Sequence, residues 1–148
     1  MKAFLILLLV LGMPYAASAQ VVGTAPGPLP VQAAQDVTPD ALMWQARPVV
    51  VFADTPQQPQ FAQQMRLLSE DPEPLLLRDV VIITDTNPAA MSVWREKLRP
   101  RGFSLVLMDK DGAVVIRKPL PWSVREIIQA IDRMPIRRDE IRSGSGKG

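Results

Sequence analysis

The chain of 148 residues contains no cysteine and no histidine. Without a thiol it forms no disulfide, and thiol oxidoreductase, thiol peroxidase and cysteine hydrolase chemistry are excluded. Without an imidazole it has no serine-histidine triad, no histidine phosphotransfer and almost none of the usual zinc or copper ligand sets. Carboxylates, amides, hydroxyls, Lys and Arg are what remain for chemistry. Aromatics are scarce too: three Trp, one Tyr and four Phe. No stretch interleaves them with basic residues as single-strand nucleic-acid binding requires. Phosphate-loop and dinucleotide patterns are missing, and no metal site or cofactor is expected.

A formal net charge of +2 gives no bulk argument for nucleic acid or a membrane surface. The charge is unevenly spread, however. Residues 20–79 carry three Arg against seven Asp or Glu, and residues 115–148 carry eight Lys or Arg against four acids. Either a charge-polarised surface that meets a partner or an ordinary solvated surface fits this distribution.

Met1 and Lys2 give a short positive start, Phe4 to Leu11 an apolar run, and Ala17-Ser18-Ala19 a small-residue site. This pattern predicts a secretory signal peptide over residues 1–19, cleaved after Ala19, and a periplasmic or secreted protein. Gly12 and Pro14 break the apolar run at about half of the ~20 residues that a membrane span needs. Cleavage leaves about 130 residues, enough for one domain with a real core.

Residues 20–39 are rich in Pro, Gly, Ala and Gln without apolar periodicity and are expected to be a flexible tether; residues 143–148, "SGSGKG", are expected to be a disordered tail. The domain is expected over residues 40–142. A short helical turn delivers Trp44 to the core, and Pro48 to Ala53 is a strand. Pro59 begins a helix with Phe61, Met65 and Leu68 on one face. Val80 to Thr84 is a second strand, apolar throughout. Asn87 caps a helix with Pro88 first and Met91, Trp94 and Leu98 buried; Pro100 ends it. Phe103 to Met108 and Ala113 to Arg117 form a hairpin across Asp111-Gly112. Ser123 to Glu126 is a capping box for a last helix that Pro135 stops. The result is an α/β domain, β-α-β-α-β-β-α, with a central mixed four-stranded sheet flanked by helices.

That order is similar to the thioredoxin fold. "VVVFA" resembles its first core strand, "DTPQQP" occupies the active-site turn, and "GFSLVLMDKDGAVV" resembles the approach to the closing hairpin. Pro56 and Pro59 stand at the two redox cysteine positions, and Phe103 stands near where the fold's cis-proline would be, so the redox motif is absent. A closer resemblance is to an uncharacterised family of exported bacterial proteins, whose domain of unknown function also recurs in animal extracellular matrix proteins with sushi repeats. Trp44 ahead of "RPVVVFA", "GFSLVLMDKDG" and "AIDRMPIRRDEIR" carry it. The resemblance implies a thioredoxin-like fold with an undefined function, so it carries over no catalytic residues.

In such sheets ligands bind beyond the carboxyl ends of the parallel strands. Those ends deliver Asp54, Thr55 and Gln57, then Asp85, Thr86 and Asn87, with Gly102 and Phe103 starting at the same edge. Asp54 and Asp85 are the candidate catalytic pair, suited to general acid and base roles or to a hard cation. Against this, all of these are ordinary turn and cap residues. Arg133, Arg137, Arg138 and Arg142 are the other candidates, gripping either an anionic partner or the domain's own acids. Two functions follow. One is a non-redox binding or adaptor module for an exported protein or a small anionic ligand. The other is a Cys-free, His-free hydrolase or cation-dependent enzyme using Asp54 and Asp85. A structural or stress-protective role is a third.

Overall fold

The computed structural model describes residues 27–145; the expected signal peptide, the start of the expected tether and residues 146–148 of the expected tail lie outside the described residues. In chain order the elements are β1 (Val31–Ala33), α1 (Pro39–Leu42), β2 (Arg47–Phe52), α2 (Pro59–Glu70), α3 (Glu73–Leu76) and β3 (Val80–Asp85). A single 3-10 turn (Pro88–Ala90) then leads to α4 (Val93–Leu98), β4 (Ser104–Met108), β5 (Val114–Lys118), α5 (Val124–Asp132) and α6 (Pro135–Ser143). Among these residues no helix is long and apolar enough to cross a membrane.

The strands form one mixed sheet in the order β1-β3-β2-β4-β5. β1 and β2 run parallel to β3, while β4 runs antiparallel to β2 and β5 to β4. The apolar, β-branched run of β2 is buried at all six positions because it is the central strand, covered on both faces. Alternation along the strands then makes two cores. Val49, Val51, Leu105 and Leu107 face Leu68 of α2, Leu75 of α3, and Ile127 and Ile131 of α5. Val50, Phe52, Val106 and Met108 face Trp94 and Leu98 of α4. Each large apolar side chain buried this way contributes about 1.5–3 kcal/mol.

The four expected strands stand within a residue or so of their expected bounds, and β1 is added to them as a fifth. It lies inside the stretch expected to be a tether. Ile82 donates its N–H to the Pro30 carbonyl and Ala34 donates to that of Thr84, both at 2.9 Å. Leu29 packs on the first core and Ala34 is buried. Pro28 and Pro30 hold the preceding chain extended, so an edge strand held mainly by backbone hydrogen bonds forms without an apolar signature.

The capping box of α5 is present: Ser123 Oγ accepts from the Glu126 N–H, and the Glu126 carboxylate accepts from the Ser123 N–H at 2.8 Å. Just before it, Gln64 of α2 is fully buried and its amide clamps Trp122. It donates to the Trp122 carbonyl and accepts from the Trp122 N–H, each at 2.8 Å.

Three local expectations are corrected. Trp44 is 66% exposed, at φ 62°, its N–H donating to the Lys110 carbonyl at 2.7 Å. Leu42 and Ala46 take the inward positions on the second core instead. Asn87 makes no side-chain cap, because Pro88–Ala90 is only one turn, ended by Met91 at φ 44°. Ser92 caps α4, its hydroxyl accepting from the Arg95 N–H at 3.2 Å, and Met91 is exposed while Trp94 and Leu98 are buried. Finally, Pro135 lies beyond the end of α5 but also begins α6, where a missing N–H costs nothing in the first turn. Ser143, expected to start the tail, closes α6, and Gly144 caps it at φ 71°.

Candidate functional site

Phe52 pairs with both Asp85 and Ser104, and Leu105 with Lys118. The carboxyl ends of β2, β3 and β5 and the start of β4 therefore share one edge. Asp54, Thr55 and Gln57 are exposed in the β2–α2 loop there. Gln58 Oε1 accepts from the Asp54 N–H at 2.8 Å and closes that loop. Gly102, at φ 59°, faces Asp54: a Cβ at Gly102 would stand 3.9 Å from Asp54 Oδ2. Thr86 is half-buried at this edge. Phe103 is only 5% exposed and spends its ring on the first core.

Asp85 reaches the same edge but is 1% exposed. Its Oδ1 accepts from Arg95 Nε at 2.8 Å and from the Asn87 N–H at 3.2 Å, and its Oδ2 accepts from the Ser92 hydroxyl. Arg95 is itself consumed, with Nη2 donating to the Ala53 carbonyl at 2.8 Å and the guanidinium 5.3 Å from the centre of the Phe52 ring. A carboxylate held this way fastens α4 to the ends of β2 and β3 and is closed off from solvent.

The side chains that do face outward are basic. Arg99, Arg101 and Arg117 are exposed and form no ion pair among the described residues. They converge on a cleft of about 380 Å³ with Phe103, Ser104 and Pro119. Arg99 and Arg101 also line a neighbouring cleft of about 700 Å³ with Pro88, Met91, Arg95, Glu96 and Pro100. Met91 (φ 44°) and Arg99 (φ 45°) sit in the left-handed region at helix ends, where glycine is usual. Each placement costs about 1 kcal/mol and sets a long side chain at the cleft. Sequence reasoning missed Arg99, Arg101 and Arg117. The signal is the hairpin register, which returns Arg117 to the end where β4 begins.

The C-terminal arginines lie elsewhere. At the opposite edge Arg47, fully buried, donates Nε to Asp109 at 3.0 Å and Nη2 to Glu140 of α6 at 3.1 Å. Lys110 bridges Asp79 and Glu140, each at 2.8 Å, and Arg78 grips Asp132 with Nε and Nη2, each at 2.8 Å. Arg137, 4% exposed, joins this network through Glu140 at 3.4 Å. Burial opposes ionisation of Glu140, but hydrogen bonds from Lys110 and Arg47, with their charges, hold its carboxyl at about 2. The Arg78 hydrogen bonds, against burial, hold Asp132 below its usual value. Burial works against the Lys110 ammonium, yet bonds to Asp79 and Glu140 raise its pKa. Arg142 pairs with Asp139 on α6, while Arg133 and Arg138 are exposed with no ion pair among the described residues. The network thus ties α6 to the sheet.

Among the described residues no group of three or more acidic side chains is placed to hold a metal ion. No curated protein matches the chain. The family model described as a domain of unknown function, DUF4174, matches residues 38–140, from the N-cap of α1 into α6, so the chain belongs to that family.

Proposed function

We propose that this is an exported, non-catalytic binding or adaptor module of thioredoxin-like build. Its ligand, an exported protein or a small anionic molecule, docks at the carboxyl edge over Arg99, Arg101 and Arg117. In this reading residues 1–19 are removed on export and the chain before β1 carries the domain. One observation carries the proposal: three arginines with no ion pair among the described residues line one cleft at the edge where α/β sheets bind ligands, whereas Asp85, needed by the enzyme alternative, is buried in its bonds to Arg95 and Ser92. Paired carboxylates need one member open to substrate and another shifted to hold or release a proton. Asp54 alone does not meet that need.

The test is capture from the exported fraction by the immobilised protein of residues 20–148, beside the variant carrying R99A, R101A and R117A. The reading expects bound material that the triple variant loses at unchanged folding. Equal capture by both proteins would refute the edge as the docking site.

A further inference from the structure

The two clefts at the carboxyl edge share Arg99 and Arg101, so they are successive compartments along one basic ridge. Both are open rather than enclosed, and a small ion in either would keep most of its surface in water. Their walls also carry apolar side chains beside the arginines: Pro88, Met91 and Pro100 in one, Pro119 in the other. Met91 is 60% exposed, and Val93 beside it is 51% exposed. A phosphate chain would use the arginines and leave this apolar surface unmatched. A nucleic acid would need an open aromatic face, and Phe103 is buried.

Resting on the function proposed above, we infer that the occupant is an extended acidic peptide segment of a partner protein, with apolar side chains set between its carboxylates. Its carboxylates take the Arg99, Arg101 and Arg117 guanidiniums, which suit bidentate pairing. Its apolar residues lie on Met91 and the proline walls. Glu96 lines the larger cleft and Asp54 lies beside Gly102 at the same edge; both repel carboxylates and so confine the peptide's acids to the guanidiniums, which selects against uniformly acidic segments.

The experiment is fluorescence anisotropy of the full-length protein with two labelled twelve-residue probes of equal charge, one repeating Glu-Glu-Leu and one repeating Glu-Glu-Ser. Tripolyphosphate serves as competitor. The Leu probe should bind at least about tenfold tighter than the Ser probe. It should weaken about tenfold or more in R99A/R101A and several-fold in M91S, while R66A and R125A on α2 and α5 leave it unchanged. Equal affinity for both probes, with tripolyphosphate displacing them and R99A/R101A abolishing both, would overturn the peptide class and leave the anion-binding edge standing. Binding indifferent to R99A/R101A, or no binding of either probe, would overturn the inference. Self-association lost in R99A/R101A by sedimentation velocity would make the occupant a second copy and would likewise overturn it.

Discussion

Arg95 Nε stands 2.8 Å from Asp85 Oδ1, with both side chains out of solvent, and this contact joins α4 to the ends of the two central parallel strands. It changes the meaning of an acid at the carboxyl edge, since the ion pair and the Ser92 hydroxyl use the carboxylate from within. Asp85→Ala leaves Arg95 buried without its partner and is expected to cost about 3–5 kcal/mol, read as a lower urea midpoint. A fully stable Asp85→Ala protein would show that the pair does not hold the edge.

Gln64 gives a second, independent stability prediction. Its two bonds to Trp122 satisfy a backbone donor and acceptor where α5 begins. Gln64→Ala should cost about 1–3 kcal/mol, and amide exchange should quicken at Trp122 and along the first turn of α5.

The Glu140 network predicts an acid-sensitive step. Because its folded carboxyl titrates at about 2 instead of 4.5, its stabilisation is complete above about pH 4.5 and disappears as pH falls towards 2. The loss is on the order of 2–3 kcal/mol. Urea midpoints measured across that window should fall in the wild type and change much less in Glu140→Gln, which should be weaker already at neutral pH. Parallel pH profiles for the two proteins would refute this role.

A chain beginning at Thr38 lacks β1 and uncovers the outer edge of β3. It should still fold, since α1 to α6 keep most of both cores, but with a loss on the order of 3–6 kcal/mol from Leu29, Ala34, Val37, the Trp94 indole bond to the Val37 carbonyl and the strand pairing. Sedimentation should show more self-association, because an unpaired strand edge recruits another.

Much of this architecture was legible in the chain. The β-branched runs of β2 and β3, Asp111-Gly112 in the hairpin and the Ser123 capping box are local signals that agree with the fold they serve. The misses have a different character. β1 is held by backbone bonds, which composition does not register. Trp44 reads as inward by its hydrophobicity, but the neighbouring Leu42 and Ala46 are the residues that pack on the second core. Pro135 reads as a stop from one side and a start from the other. At the edge, strand order leads to Asp54, Thr55 and Gln57, which are exposed in the loop after β2, yet the surroundings of Asp85 and of the arginines depend on long-range pairing. Asp85 meets Arg95 ten residues later, and Arg117 arrives only through the hairpin.

The central claim, that the carboxyl edge binds through its arginines, is tested most directly by mapping amide chemical shifts while the Glu-Glu-Leu probe is titrated into isotope-labelled protein. The account predicts shifts concentrated at residues 88–104 and 117–119, absent in R99A/R101A. Shifts confined to residues 133–142 of the C-terminal segment, or persisting unchanged in R99A/R101A, would contradict it.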